Sequence, residues 1–202
     1  MKTRIHRDLA ERIREGCEGR LNIRIRPRWF AAGNIYPDCT HQRVLHMHRV
    51  DAAGKMVERM IRRFCRSSVA GGRSLSRWRS LRLGIIMHYV CDFSCYVHTP
   101  AFSGTLREHR AYEEAQGSLP AAPQKRDPFT LYGASDAAEA YALLTEALSR
   151  RENFTPAEDL DYALTAGTEL AAAMLRLCMD ESTPLPRRYR LPLLRRWVPH
   201  GA

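Results

Sequence analysis

The amino-acid sequence predicts an all-α fold, a single-domain multi-helix bundle, and three observations lead there. No stretch of useful length alternates apolar and polar residues with the period of a strand, whereas several windows repeat apolar residues at the spacing of a helix face. Thr155-Pro156-Ala157-Glu158 has the form of a helix start: a capping threonine, proline at the first helical position, and a glutamate placed to complete a capping box. Finally, 202 residues at 45% hydrophobic content can bury one substantial core but would leave two domains thinly filled. The helical domain is assigned to residues 1–182 and a basic tail to residues 183–202.

Taken in order, Thr3 can cap a first helix running to about Gly16, with Ile5, Leu9 and Ile13 on its inner face and His6 in its first turn. From Cys17 to His48 no helical period is sustained and Pro27, Gly33 and Pro37 interrupt it, so this stretch reads as a long loop or a series of short turns. Long ordered loops in compact domains usually serve function. A second helix is expected from Val50 to about Arg66, with Val50, Met56, Val57, Met60, Ile61 and Phe64 inward and Arg59, Arg62, Arg63 and Arg66 in water. Ser74 can cap a long third helix through Trp78, Leu83 and Ile86 to about Val97, stopped by Pro100. A short helix follows from about Thr105 to Gln116, and SLPAAPQKRDPF at residues 118–129 is a proline-rich loop. Ser135 opens a helix to about Arg151, and the capping box opens the last one, to about Met179.

The formal net charge of +10, from 32 Lys+Arg against 22 Asp+Glu, favours phosphate-rich partners such as nucleic acid or anionic lipid without choosing between them. Residues 183–202 carry five arginines among Leu, Tyr and Trp. They read as a tail packed across the body with its arginines in solvent, or as a basic arm for a membrane surface or another anionic partner. The opening MKTRIHRDLAERIREG lacks the apolar core of a secretory signal, which gives a cytoplasmic expectation. Six cysteines without a CxxC pair fit reduced thiols. The longest apolar stretch, residues 83–97, is too short for a membrane span and contains His88 and Asp92, so no transmembrane segment is expected.

That stretch ends in HYVCDFSCYVH, residues 88–98. At about 100° per residue, His88 and Asp92 stand one turn apart on one face, and Cys95 continues the row. A buried carboxylate without a partner costs several kcal/mol, so something positive must face Asp92. An arginine or a hydrogen-bonded histidine would serve; so would a metal ion. Cys95 could be a thiolate ligand, but a helical cysteine in an apolar run is usually core.

What favours metal is the number of ligand-type residues between positions 38 and 113: Asp38, His41, His46, His48, His88, Asp92, His98, His109 and Glu113. His88/Asp92 and His109/Glu113 are both H-x-x-x-D/E on expected helices, a spacing that sets imidazole beside carboxylate. Neutral imidazole with carboxylate oxygen is a favoured zinc shell. No GxSxG motif is present, and Cys95 has no base that the metal reading does not also use, so nucleophilic catalysis is disfavoured.

In this order of residues the chain resembles the bacterial zinc-dependent phospholipase C family, related more distantly to the S1/P1 nucleases. The resemblance covers about residues 6–113 and rests on GNIYPD (33–38), a histidine ten residues after Asp38, HYVCDFSCYVH (88–98) and EHRAYE (108–113). It implies a single all-α domain with three zinc ions in a cleft, where a bridging water attacks a phosphodiester. One zinc would be held by Asp38, His48, His88 and Asp92, a second by His98, His109 and Glu113, and a third by Asp92 as a bridge with His6. His48 is preferred to His46 on the resemblance alone, leaving His41 and His46 as supporting or surface residues. In secreted members of the family the amino group and carbonyl of a mature N-terminal Trp complete the third site. Here the first residue is Met1, five positions before His6.

The implied activity is zinc-dependent phosphodiester hydrolysis with two or three Zn2+, on a phospholipid or a related phosphodiester, with Asp38 orienting or deprotonating the attacking water. Metal-bound water is acidified toward a pKa of about 7 and paired metals clamp the attacking and leaving oxygens. Tyr36, Tyr89, Phe93, Tyr96 and Phe102 are candidates to line a mouth, though most such residues belong to the core. Two alternatives stand beside it: an S1/P1-like nuclease, and a non-catalytic metal-binding or interaction protein of the same fold.

Overall fold

The computed structural model describes residues 1–40, 48–66, 73–119, 129–152 and 154–179. Among these are seven α-helices and one 3-10 turn, with no strand beyond a single parallel bridge between Arg24 and Ser74. The helices are α1 (Thr3–Leu21), α2 (Pro27–Cys39), α3 (Val50–Cys65), α4 (Arg77–Phe93), α5 (Leu106–Gly117), α6 (Ala137–Ser149) and α7 (Pro156–Cys178), with the 3-10 turn at Tyr96–His98. The protein is all-α, as its periodicity predicts. His41, His46, most of the 118–129 loop and the 183–202 tail lie outside the described residues.

Two helices form the centre. In α7 every residue from Ala163 to Leu175 is buried, and in α4 every residue from Ile86 to Phe93, the pattern of helices surrounded on all sides. α1 lays Ile5, Leu9 and Ile13 on them as expected, and α3 adds Ala53, Val57, Ile61 and Phe64. All six cysteines are free thiols.

The largest departure from expectation is α2, in a stretch expected to be irregular. Pro27 opens the helix, where its missing N–H does no harm. The reason the helical period is invisible is that α2 is held by a glycine. A Cβ on Gly33 would lie 2.2 Å from the Leu81 carbonyl oxygen, and one on Gly84 2.2 Å from the Phe30 carbonyl oxygen. The backbones of α2 and α4 therefore touch directly. The Arg24–Ser74 bridge starts the two helices side by side: the Arg24 N–H donates to Arg73 O (2.6 Å) and the Leu75 N–H to Arg24 O (2.8 Å). They consequently run parallel.

Smaller departures concern helix ends. Lys2, not Thr3, precedes α1 and makes no side-chain cap, and the helix runs past Gly16 to Leu21, closing on Asn22 at φ 51°. Gly16 does not stop it because it is a packing residue: a Cβ there would lie 3.0 Å from Thr168 Cγ2. Ser74 is occupied in the bridge, so Ser76 caps α4 instead, accepting from the Arg79 N–H. α4 ends at Phe93 rather than Val97, and Asp136 rather than Ser135 caps α6. The Thr155 hydroxyl accepts from the Glu158 N–H (3.2 Å) as expected, and Thr105 and Glu108 form a complete capping box on α5.

Candidate metal centre

The parallel course of α2 and α4 carries Asp38, in the last turn of α2, to the level of His88 and Asp92 near the end of α4. Pro37 sits inside that last turn, where it removes one helical hydrogen bond and crowds the carbonyl four residues back. In this loosened turn the Asn34 carbonyl oxygen is 2.8 Å from His88 Nδ1. A carbonyl only accepts, so Nδ1 carries the proton and Nε2 presents its lone pair to the cluster.

Around His88 Nε2 three further donor atoms converge. It lies 3.2 Å from His48 Nδ1, 3.3 Å from Asp92 Oδ2 and 3.8 Å from Asp38 Oδ1. His48 Nδ1 is 2.7 Å from Asp92 Oδ2 and 3.8 Å from Asp38 Oδ1. Four ligands about 2.0–2.1 Å from a tetrahedral metal stand roughly 3.3–3.4 Å apart, and these separations bracket that value. The other oxygen of Asp92 faces elsewhere: Oδ1 is 3.2 Å from His6 Nε2 and 3.8 Å from His98 Nε2. On α5 and the 3-10 turn, Glu113 Oε1 is 3.2 Å from His109 Nε2 and 3.5 Å from His98 Nε2. Three groups could thus each hold an ion, namely His6/His88/Asp92, Asp38/His48/His88 and His98/His109/Glu113, with the donor atoms of each within 4.8 Å of one another.

The α-amino group of Met1 also enters the cluster, 2.8 Å from Asp92 Oδ1, 3.0 Å from Glu113 Oε1 and 3.2 Å from His98 Nε2. It is fully buried. Burial alone would lower its pKa, but Asp92, the Cys95 thiol and Glu113 outweigh that and raise it to about 12. Here an ammonium stands among ligand-type side chains as a stand-in for a metal cation.

The electrostatics ask for more positive charge than that. Among the described residues no Lys or Arg pairs with Asp92, which is completely buried. Burial pushes its carboxyl up, but the Met1 ammonium with His6, His98 and His88 holds it well below the usual range. Burial, then the neighbouring Asp92, raises Asp38. Burial, then His6, keeps His88 well below an ordinary imidazole, and burial lowers His98 also. Burial thus favours the neutral imidazole at His88 and His98 beside crowded carboxylates, a donor set that a divalent cation stabilises. The buried ring nitrogens His6 Nδ1 and His48 Nε2 have no hydrogen-bond partner among the described residues. The residues present fit zinc.

All eight expected site residues come together: His6, Asp38, His48, His88, Asp92, His98, His109 and Glu113. Cys95 does not join them. Its buried thiol contacts the Gln116 side chain, 3.2 Å from Nε2, and burial raises its pKa. Tyr89 and Phe93 are buried core, whereas Tyr36 is exposed and Phe102 lies half-buried with its ring 5.9 Å from that of His109.

Sequence reasoning missed the support behind the turn from Asp92 to His98. Asp159 Oδ2 accepts from the Tyr96 N–H (2.8 Å) and from Gln116 Nε2 (3.1 Å), while its Oδ1 accepts from Arg151. Arg151 also donates to Ser94 O and lies over the rings of Phe154 and Tyr162. This intercepts the chain after Phe93 and ends α4 there. Asp159→Ala leaves the buried Arg151 guanidinium uncompensated and is expected to destabilise the fold by about 3–5 kcal/mol. Denaturant melting should show that loss; unchanged stability would mean the pair does not clamp the turn.

Five histidines and three carboxylates from four helices, a short turn and the segment before α3 are gathered into groups that could hold metal. Residues 5–150, well over half of the chain, match the zinc dependent phospholipase C family model. The chain belongs to the zinc-dependent phospholipase C family. No curated protein and no solved structure matches it. Among the described residues no helix is long and apolar enough to cross a membrane.

Proposed function

We propose that the chain is a zinc-dependent phosphodiester hydrolase acting on a phospholipid or a related phosphodiester. The observation that carries this reading is the convergence of three donor groups around the two oxygens of one buried carboxylate, Asp92, in a chain of this family. Asp38, His48, His88 and Asp92 Oδ2 would hold one zinc, and His98, His109 and Glu113 a second. Asp92 Oδ1 and His6 would hold a third. Bound zinc supplies Lewis acidity toward phosphoryl oxygens and acidification of water.

The protein's own groups set the rest. Asp92 is a fixed anion that draws the donor atoms together, and the Asn34 carbonyl keeps His88 in one tautomer. Asp38 is partly open to solvent, as are His109 and Glu113, so substrate enters on their side. Bound to zinc, the Asp38 carboxylate is a weaker base than a free aspartate, so its place at the open edge suits it to orient the attacking water rather than to take up its proton.

Elemental analysis of the purified protein should find two or three zinc per chain. Chelation should abolish hydrolysis of a bis-aryl phosphodiester and of phospholipid vesicles, and zinc should restore it. A folded, metal-free protein indifferent to chelator would overturn the proposal. Full zinc with no turnover would leave a binding protein, and cleavage confined to oligonucleotides would identify a nuclease.

A further inference from the structure

The exposed face shared by α2 and α4 has no role in the chemistry above. The two helices touch through Gly33 and Gly84, which turns the stripe Trp29–Ala32–Tyr36 and the stripe Trp78–Leu81–Ile85 to the same side. The rings of Trp29 and Trp78 meet at 5.7 Å, and the Arg77 guanidinium lies 5.9 and 5.7 Å from them. Trp78 is 55% exposed and Tyr36 45%. Tyr36 lies two residues before Asp38, so the stripe runs up to the open edge of the metal cluster. Leu106, 66% exposed, stands one turn before His109 and adds a bare apolar side chain beside a second site residue.

The charge around this face has one sign. Residues 19–37 and 59–91 contain no Asp or Glu. Arg24, Arg26, Arg28, Arg73, Arg77 and Arg82 are exposed, and none forms an ion pair among the described residues. Elsewhere among the described residues Arg14, Arg20, Arg49, Arg62, Arg150 and Arg151 pair with carboxylates while Arg7, Arg59 and Arg63 do not, so what marks this face is the long run of sequence without an acidic residue. Tryptophans with unpaired arginines beside an apolar stripe fit a bilayer interface, where indoles sit at headgroup depth and guanidinium groups meet lipid phosphates. A nucleic-acid strand would instead want cations along its length, whereas the arginines here gather near the starts of α2 and α4.

We infer that the α2/α4 face is an interfacial docking surface for an anionic phospholipid bilayer, placing the metal cluster's open edge beside the lipid headgroups. The inference deepens the proposed hydrolase reading by giving it a membrane-borne substrate, but vesicle binding is measurable without turnover. In cosedimentation the protein should bind phosphatidylcholine vesicles containing phosphatidylglycerol far better than phosphatidylcholine alone, and added salt should weaken the binding. Arg24→Glu/Arg28→Glu/Arg77→Glu should weaken it roughly tenfold or more. Trp78→Ala should weaken it as well, and both variants should hydrolyse a soluble bis-aryl phosphodiester as the parent does.

Wild-type affinity in the arginine variant, or no vesicle binding by the parent protein, would overturn the surface. So would arginine-dependent binding of a single-stranded oligonucleotide without vesicle binding. Arginine-dependent vesicle binding by a protein that cleaves no phosphodiester would leave the surface standing and remove the hydrolase reading.

Discussion

Asp92→Asn is expected to lose zinc and to abolish phosphodiester hydrolysis while keeping the fold's helical content. The substitution is nearly isosteric, so packing against His6, His48, His88 and His98 is conserved; what disappears is a negative charge that faces all four. Changes in groups that merely orient a ligand lower metal affinity by about 10–100-fold, so removing a bridging carboxylate should exceed that. In the metal-free state the variant also leaves the Met1 ammonium without its 2.8 Å partner. Glu113, 3.0 Å from the ammonium, still compensates it, so the loss is smaller than the roughly 3–5 kcal/mol of a buried pair broken outright, and zinc-free Asp92→Asn should melt below zinc-free wild type. Zinc content by elemental analysis, turnover of a soluble diester and thermal melting after chelation read the three effects separately. A variant with full zinc and unchanged rate would remove Asp92 from the site.

The candidate site was legible because its spacing is local. His88/Asp92 and His109/Glu113 are one-turn pairs on helices, and that geometry holds whatever the rest of the chain does. The order of Asp38, His48 and His98 added the rest through resemblance. Illegible features share a different character. α2 is fastened by Gly33 against Gly84 and by a proline inside its last turn, and neither residue registers as an apolar face. The partner of His88 Nδ1 is the Asn34 backbone, which no residue type announces. Arg151 and Asp159 act together across the α6–α7 connection on backbone atoms of residues 94 and 96, a relation that exists only once α4, α5 and α7 are packed. The Met1 amino group could be placed only when α1 was seen to run beside α4 with His6 over His88, their rings 4.1 Å apart.

The α2/α4 contact gives the second large expected effect. Gly84→Ala should destabilise the protein by about 2–3 kcal/mol, the upper part of the range for overpacking a tight contact. Its methyl group would meet the Phe30 carbonyl oxygen at 2.2 Å, with Gly33 Cα at 3.0 Å behind it. Neither obstacle is a side chain that can swing away, so α2 must move off by about 1 Å to restore ordinary contact. For a chain of this size that corresponds to a fall in Tm of about 4–12 °C. The same displacement draws Asp38 and the Asn34 carbonyl away from His88, and about 1 Å of misplacement can cost 100-fold in rate. The variant should therefore lose activity out of proportion to its loss of fold, with the deficit persisting at temperatures where it is fully folded. Gly117→Ala supplies the control, since nothing lies within 4 Å of a Cβ there and its stability and rate should match wild type. If Gly84→Ala melted with wild type and kept its rate, the backbones of α2 and α4 would not touch, and the alignment of Asp38 with His88 would need another cause.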